Sequence, residues 1–325
     1  MQYKLAELIE RVNEHVTNLE YPAQPDGLFA PIRYVLSLGG KRLRPVLMLM
    51  AYNLYKDDIE SIYNVAGGIE MYHNHTLLHD DVMDKADIRR GKPTVHKVWD
   101  ENTAILSGDA MLIRAFQYMN VAPQKHLKEV IDLFAQTALE ICEGQQYDME
   151  FESRKDVKEE EYIEMIRLKT AVLLACSLKI GAILGDAPAE DCENLYKFGI
   201  HIGLAFQLQD DLLDVYGDPK VFGKNTGGDI TSNKKTYMLI KAFELAEGEN
   251  LDKLNRWVEA KEFDAAEKVR EVTAIYDKIG IRGICEALMQ EHDRLADGYL
   301  AKVHVDEEKK AELKALAASL MHRNW

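Results

Sequence analysis

Hydrophobic residues recur at helical spacing along most of the chain. Apolar positions at i, i+3, i+4 and i+7 run through residues 3–16, 129–151, 159–184 and 308–321, as in helices that bury one face. Segments 164–185 and 196–216 are apolar on most sides, which is typical of helices in the interior of a bundle. No stretch alternates convincingly between apolar and polar residues as a half-buried strand does. The pattern predicts an all-α fold built as a single large helical bundle.

Proline and glycine mark the breaks between these helices. They cluster at residues 21–27, 89–103 and 216–229, and Gly185 and Pro188 predict one helix end and the next helix start. No linker is long or polar enough to separate domains. We therefore predict about ten or more helices in one domain over residues 1–325.

Composition narrows the possible functions. The 325 residues contain 55 acidic and 40 basic side chains, a net charge of −15, which argues against general nucleic-acid binding. The start of the chain lacks the apolar core of a signal peptide, and no apolar run reaches the ~18–20 residues that cross a bilayer. Four widely spaced cysteines without a CxxC pair predict reduced thiols. We expect a soluble cytoplasmic protein with no membrane span.

The motif DDxxD occurs twice, each time at the end of an apolar helical segment. Its carboxylates are Asp80, Asp81 and Asp84 in the first copy and Asp210, Asp211 and Asp214 in the second. Carboxylates this close raise one another's pKa and repel unless cations compensate. Magnesium suits them because it takes one or two protein carboxylates and completes its shell with water and substrate phosphate. A solvated acidic helix end is the alternative for one copy, but two copies favour metal binding.

Other metals fit less well. Neither copy has the D-x-D-x-D-G spacing of a calcium-binding EF-hand. His73, His75, His79 and His96 cluster near the first copy, so a zinc site is an alternative there. The HxxxH spacing offers no third ligand, which argues against zinc.

Basic residues cluster beside these motifs in an otherwise acidic chain. In "GGKRLRP", Lys41, Arg42 and Arg44 follow two glycines at a predicted helix start, where backbone amides also favour an anion. Arg89 and Arg90 follow the first copy of DDxxD, Lys169 lies in an apolar helix, and Lys224 and Lys234 bracket the Gly-rich segment after the second copy. Arginine suits bidentate contact with phosphate oxygens. These groups predict diphosphate binding.

Together the motifs resemble those of the trans-type polyprenyl diphosphate synthases, which include farnesyl and geranylgeranyl diphosphate synthases. The resemblance is carried, in order, by "GGKRLRP", "LLHDDVMDKADIRRGKPTVH", "GQQYD", "KT", "FQLQDDLLDVYGD", "GK" and "NKKT", within residues 37–236. It implies the isoprenoid synthase type I fold, with a central substrate cavity, in a homodimer. It also implies condensation of isopentenyl diphosphate with dimethylallyl, geranyl or farnesyl diphosphate into an all-trans fifteen- or twenty-carbon product.

The resemblance assigns roles residue by residue. About three magnesium ions per active site would be bound by the six aspartates of the two motifs. The allylic diphosphate would contact Arg89, Lys169, Lys224 and Lys234. Isopentenyl diphosphate would contact Lys41, Arg44, His73 and Arg90. Thr170, Gln207 and Gln145 would line the reacting region, and Asp148 would orient a neighbouring side chain.

Product length is predicted from the helix before the first motif. His75 lies five residues before Asp80, about 7–8 Å along the helix. In the family that the chain resembles, a large residue here goes with shorter products. We therefore predict a chain-length floor at His75 and Thr76, with Tyr72 one turn deeper. The alternative is that His75 faces another helix and limits nothing.

Two other functions have to be weighed. A class I terpene cyclase is also all-α and binds magnesium, but it usually carries a different second motif and binds one diphosphate. A non-catalytic synthase subunit would be expected to lose an aspartate motif or basic residues, and this sequence keeps them all. The motifs therefore favour a prenyltransferase.

Overall fold

The computed structural model of the protein describes residues 3–217 and 226–321, and most of these residues are helical. The helices are α1 Leu5–Thr17, α2 Asp26–Ser37, α3 Leu43–Asn53, a 3-10 turn Ile59–Ile62, α4 Tyr63–Met83, α5 Val95–Val98, α6 Glu101–Met119, α7 Leu127–Ser153, α8 Glu159–Ile166, a π-helical segment Arg167–Ala171, α9 Val172–Leu184, α10 Ala189–Tyr216, α11 Gly228–Thr231, α12 Tyr237–Leu245, α13 Gly248–Glu259, α14 Ala265–Ile279, α15 Ile281–Ala301 and α16 Glu307–Met321. The predicted all-α class is confirmed. Within the described residues, no helix is long and apolar enough to span a membrane.

Local sequence signals fix several helix ends. The side chains of Asp100, Thr236 and Asp264 accept hydrogen bonds from backbone N–H groups in the first turns of α6, α12 and α14, satisfying donors that a helix start leaves without partners. Gly185 and Pro188 lie between α9 and α10, where the sequence predicted a break. These boundaries follow from short-range chemistry.

The sequence did not predict a short hairpin after the first aspartate motif. Strands β1 Ile88–Arg89 and β2 Lys92–Pro93 pair antiparallel. Arg90 and Gly91, at φ 52° and 74°, form the turn between them, as in two-residue hairpins whose central residues both need positive φ. The segment predicted as an open loop over 89–103 therefore contains a strand, α5 and the start of α6.

The described residues divide into two compact units. The first contains the described residues of Met1–Ala135, Cys176–Leu195 and Val303–Leu313, and the second contains those of Gln136–Ala175, Tyr196–Lys302 and Lys314–Trp325. The prediction that residues 1–325 form one domain stays a prediction.

Helix α3 forms the centre of the first unit. Its residues from Pro45 to Asn53 are all buried, and Leu47, Met48 and Leu49 have no exposed surface. Helices α1 and α4 pack against it. Burial of each large apolar side chain contributes about 1.5–3 kcal/mol, so α3 is a main source of stability in this unit.

The second unit has its own apolar core. The fully buried side chains of Leu208, Met238, Leu254, Ile281 and Cys285 pack together in it. They come from α10, α12, α13 and α15. Long-range packing of these helices holds the segment from Gly227 to Thr236, which carries functional side chains described below.

A buried carboxylate ties distant segments of the first unit together. Asp191 has 0% exposed surface. It accepts hydrogen bonds from the Tyr55 hydroxyl at 2.9 Å, the His304 backbone N–H at 3.0 Å and the His304 imidazole at 2.8 Å. A buried carboxylate is stable only when its oxygens have such donors.

We expect Asp191→Ala to lower the free energy of unfolding by about 3 kcal/mol, because it leaves buried donors without an acceptor. Glu190→Ala is the control, since Glu190 and Asp191 share the first turn of α10 and both interact with the helix dipole. Urea denaturation of the two variants measures the difference. Equal losses in both would show that the hydrogen bonds of Asp191 contribute little.

Candidate active site

The first aspartate motif lies at the C-terminal end of α4. Asp80 and Asp81 are in its last turn, and Asp84 directly follows the helix. The helix dipole is negative at this end, so it adds to the repulsion among the carboxylates. Asp81 is only 5% exposed. Its carboxylate needs a nearby cation.

Arg89 supplies that cation. Its Nε lies 2.8 and 2.9 Å from the two carboxylate oxygens of Asp81, and its Nη2 lies 2.7 Å from Oδ1. The intervening loop is fixed because the Ala86 N–H donates to the Asp81 carbonyl and the Thr94 hydroxyl donates to the Ala86 carbonyl. The β1–β2 hairpin thus returns an arginine to the aspartate motif that precedes it.

Three residues assigned to isopentenyl diphosphate lie close together in the first unit. Arg44 Nη1 donates to His73 Nε2 at 3.1 Å, and Arg90 donates to the Gly39 carbonyl beside them. Burial lowers the pKa of Arg44 to about 10, opposed by Glu70 and reinforced by Arg90. Burial, with Arg44 and Arg90, lowers the pKa of His73 well below its usual value. His73 is therefore a neutral acceptor between cations.

The Arg44 guanidinium has donor capacity left over. Its Nε is buried, and no residue in the described part of the chain accepts a hydrogen bond from it. An anion with several oxygens would satisfy this donor and reduce the repulsion between Arg44 and Arg90. Lys41 precedes α3 in the same segment. The group suits a diphosphate.

Arg42, between Lys41 and Arg44 in the basic motif, has a structural role. It is buried, with φ 48°. It pairs with buried Glu70 at 2.6 Å and also donates to the Leu36 carbonyl and the Asn13 side chain. This network fixes the backbone on which Arg44 stands. The sequence alone could not separate it from Lys41 and Arg44, the neighbours predicted to bind substrate.

Lys169 and Thr170 lie in the π-helical segment that interrupts the predicted continuous helix over 159–184. The π-helical segment passes close to α7 and α10 because two glycines face it. A Cβ on Gly144 would lie 2.5 Å from the Lys169 backbone nitrogen, and a Cβ on Gly203 would lie 2.5 Å from the Ala171 Cα. Such π-turns are frequent at functional sites.

The side chains of this segment join a polar network in the second unit. Lys169 pairs with Asp148 on α7 at 2.5 Å, as expected of Asp148. The Thr170 hydroxyl donates to Gln207 Oε1 at 3.0 Å, and Gln207 Nε2 donates to Asp211 at 3.0 Å. The structure therefore brings together Lys169, Thr170, Gln207 and Asp211; Gln145 lies on α7, directly after Gly144.

Tyr162 was not predicted from the sequence. Its hydroxyl donates to the second oxygen of Asp211, and both side chains are buried. Burial raises the pKa of Asp211 to about 7. With the hydrogen bond from Gln207, both carboxylate oxygens of Asp211 have a protein donor. A lone tyrosine in the glutamate-rich helix α8 gave no sign of this contact.

Asp229 is a further acidic residue that motif analysis missed. Its backbone N–H donates to the Asp214 side chain at 2.9 Å, and its carboxylate lies 3.7 Å from Lys234 Nζ. Although burial opposes its charge, Lys234 has a raised pKa because Asp229, Asp211, Asp148 and Asp214 surround it. No signal in the sequence marked this contact, because Asp229 lies 15 residues after Asp214 and outside the motif.

The segment with Asp229 and Lys234 is supported by Lys268, which has no exposed surface. Lys268 Nζ donates to the Asn233 side chain at 2.7 Å and to the Thr231 carbonyl at 3.3 Å. It also lies over the Phe263 ring at 4.2 Å. Lys224 lies outside the described residues.

The predicted chain-length residues lie on α4, with their side chains in different contacts. His75 Nδ1 bonds to the Gly108 carbonyl on α6 at 2.9 Å, and Tyr72 is buried against Phe134. The Thr76 hydroxyl donates to the His73 carbonyl. His73, His75 and His79 each contact a different partner, which does not support their convergence on zinc.

Comparison with known proteins decides the family. The family model described as polyprenyl synthetase matches residues 25–276. The chain belongs to the polyprenyl synthetase family. It is 39% identical over 277 residues to a short chain isoprenyl diphosphate synthase of Methanocaldococcus jannaschii, which covers 83% of this chain and 84% of the relative. It is 43% identical over 223 residues to a geranylgeranyl diphosphate synthase of Methanosarcina mazei, covering 68% of this chain and 69% of the relative.

Solved structures support this family assignment. A crystal structure of geranylgeranyl pyrophosphate synthase has a TM-score of 0.93 at 40% identity and covers 99% of both chains. That of the geranylgeranyl pyrophosphate synthetase from Pyrococcus horikoshii Ot3 has a TM-score of 0.88 at 33% identity and covers 98% of this chain and 96% of that one. The resemblance seen in the motifs is confirmed, and with it the prediction of a trans-prenyltransferase.

The donor chemistry of this polyprenyl synthetase suits magnesium. Both motifs offer aspartate oxygens, the ligands that a hard divalent cation prefers. Among residues 3–217 and 226–321, no three histidine, cysteine or carboxylate side chains are already grouped around one metal position. Arg89 holds Asp81, and Tyr162 and Gln207 hold Asp211. These residues therefore fit a metal that brings water and phosphate oxygens as its other ligands.

The raised pKa of Asp211 predicts a pH dependence of stability. The unfolded aspartate titrates near 3.8 and the folded one near 7, so between these values the folded protein holds a proton that the unfolded chain has released. Stability from this group is complete below about pH 4 and is lost as the pH rises towards 7. In metal-free protein, we expect the free energy of unfolding to fall as the pH rises from 5 to 7. The fall should be steeper in wild type than in Asp211→Asn, by up to about 1.4 kcal/mol per pH unit.

Urea denaturation at pH 5, 6 and 7 measures these slopes. Asp297→Asn makes the same chemical change at an exposed position on α15 and should keep the wild-type slope. Parallel curves for wild type and Asp211→Asn would contradict the assignment of a bound proton to Asp211.

Proposed function

We propose that the protein condenses isopentenyl diphosphate with dimethylallyl, geranyl or farnesyl diphosphate to give an all-trans prenyl diphosphate of fifteen or twenty carbons. The proposal is carried by the group of Arg44, His73 and Arg90, with the unused Arg44 donor. This cationic group lies in the same unit as the first aspartate motif. A protein with both groups can bind a second diphosphate in addition to the one bound through magnesium.

Isopentenyl diphosphate is assigned to this cationic group. Arg44 and Arg90 provide planar donors for bidentate contact with phosphate oxygens. Neutral His73 accepts from Arg44 and so fixes the orientation of its guanidinium. Lys41 adds a further positive charge at the start of α3. These residues hold the substrate and take no part in proton transfer.

The allylic diphosphate is assigned to the aspartates, Arg89, Lys169, Lys234 and Lys224. When bound, about three magnesium ions supply Lewis-acid stabilisation of the leaving diphosphate. Arg89 already neutralises Asp81, and Lys169 and Lys234 lie among carboxylates. Each cation can therefore exchange a carboxylate partner for a phosphate oxygen without leaving its position. Positive charge is then available where negative charge develops.

The chain's residues fit an ionisation–condensation–elimination reaction. The allylic carbon–oxygen bond breaks, and its electron pair leaves with the diphosphate. The isopentenyl double bond then forms the new carbon–carbon bond, and the resulting cation loses a proton to the departed diphosphate. No protein base is needed, which agrees with the lowered pKa of His73, because a group with a low pKa is a weak base. The carbonyl and hydroxyl oxygens of Gln207 and Thr170 provide fixed dipoles near this chemistry.

The relatives support condensation over cyclisation. Those described above are named isoprenyl or geranylgeranyl diphosphate synthases. Others are named geranylfarnesyl diphosphate synthase in Natronomonas pharaonis and farnesyl diphosphate synthase in Bacillus subtilis, each 42% identical. The products named for these relatives therefore differ in length, although the relatives are similarly identical to this chain. The product length of this protein therefore has to be inferred from its own residues. His75, with Thr76 and Tyr72, remains the predicted chain-length floor.

We also propose that the protein acts as a homodimer in the cytoplasm. On α6, Ile105, Leu106 and Ile113 are 44%, 60% and 61% exposed. Leu139 and Met149 on α7 are also exposed, at 55% and 46%. Large apolar side chains concentrated on two helices are typical of surfaces that another subunit covers.

Incubation with isopentenyl diphosphate, each allylic diphosphate in turn and magnesium, followed by mass analysis of the products, tests the function. We expect Asp80→Ala and Asp210→Ala each to lower turnover by at least about a hundredfold. Each variant removes a carboxylate proposed to bind the magnesium that stabilises the leaving diphosphate. Asp297→Ala, at an exposed site on α15, should keep wild-type turnover.

Circular dichroism of both active-site variants checks that they remain folded. A wild-type protein that forms no prenyl product from any allylic diphosphate would refute the proposed function. Near-normal turnover in a folded Asp80→Ala or Asp210→Ala protein would refute the metal-binding role of that motif.

The floor is tested by His75→Ala. Removing the imidazole shortens the obstruction on α4, so we expect the main product to gain at least one five-carbon unit while turnover persists. Product sizing with farnesyl diphosphate as the allylic substrate measures this. An unchanged product profile would mean that His75 does not limit elongation.

A further inference from the structure

Two histidines of α4 are held by the backbone of α6. His75 Nδ1 lies 2.9 Å from the Gly108 carbonyl, and His79 Nε2 lies 3.0 Å from the Ile105 carbonyl. A carbonyl only accepts hydrogen bonds, so both ring nitrogens must carry the proton. Each imidazole therefore has one fixed tautomer and orientation. Burial lowers the pKa of His75 to about 4, so it is neutral at physiological pH.

The two rings also contact each other. Their centroids are 4.5 Å apart at 66°, an edge-to-face arrangement. On its other side His75 faces Tyr72 at 5.6 Å, and Tyr72 packs edge-on against Phe134 at 5.2 Å. The His75 ring is therefore bounded by His79, Tyr72 and the α6 backbone. A displacement of His79 therefore removes one of the three contacts that bound the His75 ring.

Gly108 is the residue that makes room for this arrangement. A Cβ at position 108 would lie 2.1 Å from His79 Nε2 and 2.5 Å from its Cδ2, far inside contact distance. Glycine inside a helix is unfavourable by about 1 kcal/mol relative to alanine. Its presence within α6 therefore has a packing reason, and that reason is the His79 imidazole.

We propose that Gly108 is a specificity-determining position of this enzyme. Its missing side chain admits His79, and its carbonyl holds His75, so α6 sets the orientation of the predicted chain-length floor. Gly108 is a positioning residue, since it acts through His75. The inference rests on the proposed function, because product length has meaning only for a prenyl-chain-elongating enzyme.

The test is the product profile of Gly108→Ala with isopentenyl diphosphate, farnesyl diphosphate and magnesium. The new methyl group must displace His79, and His75, although still within reach of the residue 108 carbonyl, then loses the ring that bounds it on one side. We expect products longer by one or more five-carbon units, with the ratio of longer to wild-type-length product raised about tenfold. Turnover should remain within severalfold of wild type.

Two glycine variants separate this effect from general damage. Gly298→Ala on α15 adds the same methyl group where nothing lies within 4 Å, so its profile should match wild type. Gly68→Ala on α4 strains the packing against α6 elsewhere, since its Cβ would lie 2.9 Å from Met119 and Tyr118 side-chain atoms. It should lower the melting temperature without lengthening the product.

The His79→Ala background provides the sharper control. Without the imidazole, a methyl group at position 108 has nothing to displace, so Gly108→Ala should cause no further lengthening there. His79→Ala by itself should lengthen the product, because His75 loses the same neighbour. This variant also tests the inference if Gly108→Ala proves too unstable to purify.

Wild-type product formation is scored first and tests the proposed function separately. If the wild type is active, a wild-type profile in Gly108→Ala or in His79→Ala overturns the assignment of Gly108. Lengthening by Gly108→Ala that persists undiminished in the His79→Ala background, or equal lengthening in Gly68→Ala, also overturns it. Lengthening that depends on His79 supports it.

Discussion

Compensation of crowded carboxylates is the constraint on which the rest of this structure depends. Asp81 lies near the negative end of α4, where an unpaired charge would be costly. The β1–β2 hairpin meets that cost by returning Arg89 to it. In the second unit, Tyr162 and Gln207 satisfy Asp211, and Lys169 pairs with Asp148. Elements that look unrelated in the sequence are therefore placed by the need to pair aspartates.

Similar pairs within each unit explain how the fold tolerates so many charged groups. Arg89, Lys169 and Lys234 each balance a carboxylate, so the protein does not have to tolerate uncompensated charge. Arg44 and Arg90 differ. Burial and the charge of Arg90 lower the pKa of Arg44, and burial with the charges of Arg42 and Arg89 lowers the pKa of Arg90. A bound anion would therefore stabilise these two charged side chains more than it would stabilise the paired cations.

Glycines that let helices pack closely are a second feature on which the arrangement of these side chains depends. Gly144 and Gly203 let α7 and α10 approach the π-helical segment that carries Lys169 and Thr170. In the first unit, Gly108 lets α6 approach the histidines of α4. A Cβ at any of these positions would lie 2.5 Å or less from an atom of the neighbouring segment, so that segment or its side chain would have to move. Precision in the site therefore depends on the missing side chains as much as on those present.

The sequence alone determined the all-α class, a few helix boundaries such as that at Gly185 and Pro188, the family and both aspartate motifs, because periodicity, capping and motif spacing are properties of neighbouring residues. It could not separate Arg42, which pairs with buried Glu70, from Arg44, which keeps an unused donor. Nor could it find Tyr162, Asp229 or Lys268, or the partner of His75, because these contacts join residues far apart along the chain. Only the tertiary structure decides which side chains share a buried, low-dielectric environment, and that environment sets their charge, orientation and role.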